Sequence, residues 1–225
     1  MARCEGSDAA GGIGGRSHRL ATIPNSARHP ARSQMTAIPA GTTRMPAAPW
    51  LTAAALDAHG IDPRQRAWLQ WPGLLTAALR RASGPGFRLE LLGQRPVFLD
   101  EAERTRLGTQ DREALCREIV MGDGACDYVC ARTLVPGSTL AAHPWLGELG
   151  QASLGERLRE VGTPSRDPFR FRPMRPDEPL LSGLARLPQG TIWARDSVFR
   201  IDGLALSVLE AFLPELSRCP APCGE

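Results

Sequence analysis

Apolar and polar positions alternate most clearly in two regions of the chain. Residues 117–140, REIVMGDGACDYVCARTLVPGSTL, spell a strand, a tight turn at GDG, and a returning strand stopped at Pro136. Residues 191–214, TIWARDSVFRIDGLALSVLEAFLP, spell a second pair: a strand around 192–201, a turn at Asp202-Gly203, and a strand running to Leu213. FRLELLGQRPVFL reads as two short strands around a turn, with Phe87, Leu89 and Leu91 on one face. Helical spacing marks the intervening stretches. LTAAALDAHG predicts a short helix closed by Gly60. In DPRQRAWLQWPGLLTAALRRA, Asp62 is placed to cap a helix, Pro63 occupies its first position, and Pro72 interrupts it. EAERTRLGT reads as a connection, and STLAAHPWLGELGQASLGERLRE as helical pieces broken at Gly147, Gly150 and Gly155. Residues 162–191, rich in Pro and Arg, predict a long connection with one short strand near FRFR. Helices followed by strand pairs on tight turns predict an α+β fold, an antiparallel sheet with helices packed on one side.

Two charges break this pattern. Arg117 shares a strand face with Ile119 and Met121, and Glu210 stands in the row Leu204, Leu206, Val208, Phe212. An arginine cannot shed its proton to escape burial, so it needs an anion beside it. The two could pair with each other in an ordinary core. They could instead enclose a small anionic ligand, the arginine fork on its carboxylate and the glutamate on a hydroxyl at the far end. Alternation leaves both open.

Charge and composition narrow the partners. Residues 1–50 hold six arginines against Glu5 and Asp8, while the remainder is close to neutral. Basicity thus belongs to the leader, and no nucleic-acid surface is expected in the domain. Residues 1–48 read as a disordered basic leader or a mis-assigned start, with Met35 and Met45 as later starts. Residues 49–216 read as one domain and 217–225 as a flexible tail. No apolar run is long enough to span a membrane, so a cytoplasmic protein is expected; a monomer is expected as well. All 27 basic residues are arginine, which excludes Schiff-base chemistry on a lysine. Cys126/Cys130 and Cys219/Cys223 have a spacing that could suggest zinc, but a turn, a strand and a Pro-flanked tail are poor knuckles, and free thiols are expected.

REIVM, ARTLVPGSTL, LGELGQASLGERL and WARDSVFRIDGLALSVLEAFLP, in that order between about Trp68 and Pro214, resemble the chorismate pyruvate-lyase family. The resemblance implies an aromatic-acid pocket enclosed by helical flaps, with chorismate as substrate, 4-hydroxybenzoate and pyruvate as products on the way to ubiquinone, and no cofactor. It implies that Arg117 binds a carboxylate and that Glu210 meets the ring hydroxyl. Leu154 then closes on the ligand with a backbone hydrogen bond, and Leu75 lies in the N-terminal flap. Arg132 is a further candidate anion contact, or else a sheet-edge arginine paired to a neighbouring acid. Ala152-Ser153 stands where the family has Thr-Pro, and the connection from Pro173 to Gln189 is longer than usual. The same sheet also resembles effector-binding modules of bacterial transcription regulators, which implies binding without turnover as the alternative.

Overall fold

The computed structural model describes residues 48–222, apart from 125, 163, 185 and 187; the expected leader and Cys223 lie outside the described residues. Seven strands form one antiparallel sheet: β1 (Arg88–Phe98), β2 (Glu113–Gly122), β3 (Asp127–Pro136), β4 (Ser165–Arg166), β5 (Arg170–Met174), β6 (Ile192–Ile201) and β7 (Leu204–Phe212). Their order is β1-β2-β3-β7-β6-β4, with β5 pairing the other half of the same edge of β6. The hairpin from β6 to β7 turns on Asp202 and Gly203, both at positive φ (50° and 83°), the conformation a two-residue hairpin loop with native twist requires.

The register decides which charges meet. Ile119, Ala131, Glu210 and Arg195 form one cross-strand row, and Arg117, Thr133, Val208 and Ser197 form a second row two residues along. Arg117 and Glu210 therefore share a sheet face. That face is covered by α1 (Ala53–Leu56), α2 (Pro63–Leu69), α3 (Leu75–Ser83), α5 (Gly137–Ala142) and α6 (Leu154–Val161). Leu69, Trp68 and Leu79 pack with Val129 and Phe212, while Leu146 and Leu158 pack with Leu206 and Val135. Asp62 caps α2 by accepting from the N–H groups of Arg64 and Gln65, with Pro63 at the first position.

Several sequence expectations change. β1 is one strand, not two: a bulge between Leu91 and Gly93 absorbs what reads as a turn. The segment expected as a connection is α4 (Glu101–Leu107), opened by a capping box between Asp100 and Glu103. It packs Leu107 on the opposite sheet face, with Cys116, Leu134 and Val198, so that face is partly covered too. Gly155 lies inside α6 and does not break it. The long connection holds two strands, β4 and β5, instead of one. After β7 a turn at Pro214–Arg218 buries Leu216 and Cys219, so the boundary expected at 216 falls inside packed structure.

Candidate active site

A cavity of about 300 Å³ lies between the sheet and the N-terminal ends of α3 and α6, at the small end of the range for ligand pockets. Its floor is Arg117, Ile119 and Met121 of β2, Thr133 of β3, Val208 and Glu210 of β7, and Arg195 of β6. Two short segments roof it, residues 72–76 leading into α3 and residues 153–158 of α6. The roof is stitched together. Ser153 caps α6 and donates its hydroxyl to Thr76 Oγ1 at 3.0 Å, and Arg80 on α3 meets Glu156 on α6 at 2.7 Å.

Arg117 is 2% exposed, and burial alone pulls its guanidinium below its ordinary value. It remains a cation at neutral pH, because that ordinary value lies above ~12. Its Nη2 donates to the carbonyls of Gly150 and Ala152, both at 2.8 Å, and its Nε to Gly150 at 3.3 Å. Among the described residues no carboxylate pairs with it, and Nη1 has no protein acceptor. The ion pair with Glu210 that periodicity allowed does not form. Instead Glu210 Oε2 accepts from Arg195 Nε at 2.5 Å. Arg195 is held from three other sides: its Nη1 donates to the carbonyls of Leu69 (3.1 Å) and Trp71 (2.9 Å), and its guanidinium stacks between the rings of Phe169 and Phe212. A cation at the carbonyl end of α2 is also the sign that end favours. Glu210 Oε1 is left without a protein donor among the described residues, on the cavity side.

Leu75 and Leu154 are the first residues of α3 and α6, and both line the cavity. As first residues, their backbone N–H groups have no acceptor within the helix. Leu74, which caps α3, contributes no side-chain acceptor. Two helix N-termini and a buried guanidinium without a counterion thus converge on one space, which suits an anion. Arg132 does not join them: it lies on the opposite face and donates to Glu118 Oε1 at 3.0 and 2.9 Å, the neighbouring acid that sequence reasoning allowed.

Residues 45–218 match the protein family described as Chorismate lyase. The chain belongs to the chorismate lyase family. A Cupriavidus metallidurans protein named "Probable chorismate pyruvate-lyase" is 36% identical over 181 residues, spanning 75% of this chain and 84% of that protein. One of the same name from Bordetella pertussis is 35% identical over 193 residues, spanning 80% of this chain and 97% of that protein. Among solved structures, the effector domain of PhnF from Mycobacterium smegmatis overlaps 61% of this chain and 88% of its own, at TM-score 0.47 and 17% identity. A GntR-family transcriptional regulator from Bacillus cereus overlaps 58% and 93%, at TM-score 0.45 and 16% identity. Likeness at that level decides nothing about the site.

As a member of the chorismate lyase family the chain is a lyase, and the cavity is where its four expected residues, Leu75, Arg117, Leu154 and Glu210, come together. Sequence reading missed two others in this lyase, Arg195 and Arg166. Arg195 alternates with Trp193 and Ser197 on the cavity face, but β6 is buried on both faces, so Asp196 beside it is buried too and alternation alone could not choose a side. Arg166 stands on a two-residue strand, too short to show any period.

Proposed function

We propose that the protein eliminates pyruvate from chorismate and leaves 4-hydroxybenzoate, the entry reaction toward ubiquinone, with Arg117 on the ring carboxylate and Glu210 on the ring hydroxyl. The observation that carries the reading is the division of charge within one cavity. Arg117 lacks a carboxylate partner at one wall, and Glu210 presents an oxygen without a donor at another. Their strands are separated by β3, and the residues are offset by two positions along it. Strand spacing then puts the two Cα atoms roughly 12 Å apart. Side chains reaching inward from both ends leave room for one six-membered ring bearing a carboxylate and a hydroxyl at opposite positions.

In the reaction the bond between the ring carbon and the ether oxygen breaks, so the oxygen leaves with the enolpyruvyl group, and the hydrogen on the hydroxyl-bearing carbon is lost. The leaving group gains one hydrogen to become pyruvate, and the ring becomes aromatic. Substrate and products balance with nothing added. Because aromatisation drives the step, the protein's task is to hold the ring so that the breaking bonds align and to stabilise charge on the departing enolpyruvate. Arg117 supplies a fixed cation already anchored by two carbonyls, so little reorganisation accompanies binding. Glu210, held by Arg195, fixes the hydroxyl-bearing carbon. The roof encloses the ring and must open to release it, so product release is expected to limit turnover.

The test is to mix the purified chain with chorismate and resolve the products by chromatography. Equal amounts of 4-hydroxybenzoate and pyruvate are expected. Formation of the 3-hydroxy isomer would overturn the role of Glu210. Unchanged chorismate from folded protein that still binds 4-hydroxybenzoate would make this a binding module.

A further inference from the structure

Among the described residues the cavity lining includes Arg117, Arg166 and Arg195 and one carboxylate, Glu210. That carboxylate is already engaged by Arg195. Arg117 and Arg166 have no acidic partner among the described residues, one cation more than a single ring carboxylate would answer. Arg166 is the member whose position is most telling. It pairs with Phe199 across β4 and β6, which places it on the cavity face at the edge of the sheet. Its guanidinium lies 4.1 Å from the centre of the Phe169 ring, and Nη2 donates to the carbonyl of Pro72, in the roof, at 3.1 Å. Among the described residues no carboxylate forms an ion pair with it. Arg195, which holds Glu210, lies over the same Phe169 ring at 4.3 Å, so Arg166 stands at the Glu210 end of the cavity.

We infer that Arg166 is a substrate-binding residue that takes the second carboxylate of the substrate, the one on the enolpyruvyl group, and so separates the dianionic substrate from the monoanionic aromatic product. This rests on the proposed elimination of pyruvate. The enolpyruvyl ether is carried by the ring carbon next to the hydroxyl-bearing one, so with the hydroxyl at Glu210 its carboxylate falls at the same end of the cavity. There Arg166 offers a planar fork at the mouth, stacked on Phe169 and unpaired with any acid. When the ether bond breaks, that carboxylate departs with pyruvate. Arg166 loses its partner at the moment the product forms, while Arg117 keeps the ring carboxylate.

The experiment compares the full chain with Arg166→Ala and Arg166→Gln, the second keeping a planar group on Phe169. It measures kcat and KM for chorismate and, by titration calorimetry, the affinity for 4-hydroxybenzoate. The loss of a charge-assisted bond predicts a KM for chorismate raised about 10–100-fold in both variants. Affinity for 4-hydroxybenzoate should stay within about twofold, because the product has no second carboxylate to lose. Arg166→Lys should recover part of the loss. An unchanged KM overturns the assignment. So does an equal loss of product affinity, which would mean that Arg166 serves only to hold the roof through Pro72. Absence of turnover by the unsubstituted chain would instead overturn the elimination reaction itself, and this assignment with it.

Discussion

Arg117 and Arg195 are both buried guanidinium groups on one sheet face, yet their substitution should fail in different ways. Arg195 holds the one carboxylate that lines the cavity among the described residues, and three carbonyls around the end of α2. Removing it strands a buried carboxylate, and breaking a buried pair from one side costs about 3–5 kcal/mol. Arg195→Ala should therefore lower stability by that order in urea unfolding, beyond any effect on rate. Among the described residues Arg117 is bound only by the carbonyls of Gly150 and Ala152. Its loss leaves acceptors unsatisfied at about 1–3 kcal/mol but strands no charge. Arg117→Ala should keep the fold while kcat/KM for chorismate falls by at least about 100-fold, the scale of losing one preorganised donor to a reacting anion. A near-normal rate from Arg117→Ala, or an unaltered unfolding midpoint for Arg195→Ala, would show that the two roles are assigned to the wrong residues.

At the scale of elements, the roof is where sequence and packing interact most closely. A Cβ built on Gly155 would come within 3.0 Å of Leu74 Cδ2, so this glycine lets α6 approach the segment leading into α3. Gly155→Ala should leave the helical stability of α6 about unchanged, because Gly155 is its second residue and lies outside the interior where alanine is favoured over glycine by about 1 kcal/mol. It should also push the roof segments apart. The expected result is faster dissociation of 4-hydroxybenzoate, followed by tryptophan fluorescence in stopped flow, with no loss of melting temperature. Unchanged dissociation would mean that Leu74 simply rotates away. The same packing explains what could be read in advance. From Leu115 to Met121 on β2, and along β7, the cavity face is apolar apart from Arg117 and Glu210, so those two stand out as errors in a regular row. β6 is buried on both sides and concealed Arg195. α4 buries only Leu107 and shows no helical apolar stripe, although its capping residues Asp100 and Glu103 were in view. The bulge in β1 falls at Gly93, and a glycine inside a strand pattern marks a bulge or a turn alike.

For the whole molecule, the absence of lysine and the presence of one tyrosine leave few groups to titrate between neutral pH and the arginine range. Among the described residues, three cysteines are buried: Cys116, Cys130 and Cys219. Burial pushes the Cys130 thiol up to about 12. Burial also raises Cys116, with Glu118 adding to it, and Cys219, where a hydrogen bond with Tyr128 partly offsets the rise. Tyr128 itself is raised by burial and its hydrogen bond to Asp123. In the unfolded chain a thiol ionises near ~8.5. Below that value both states keep the proton and these groups contribute their full share of stability. Above it the unfolded state releases protons that the folded state retains, so the unfolded state binds fewer and stability falls with rising pH. For Cys130, 0% exposed, the loss by pH 10 is on the order of 2 kcal/mol. Melting temperatures measured under reducing conditions from pH 7 to 10 should hold nearly level at first and then decline past about pH 8.5. Cys130→Ala should melt lower at pH 7, because it leaves a small cavity, and should decline less steeply. A wild-type profile that stays flat to pH 10 would mean that the Cys130 thiol is not held neutral in the core, and that the packing of Val120, Met174 and Ile192 around it is looser than the structure describes.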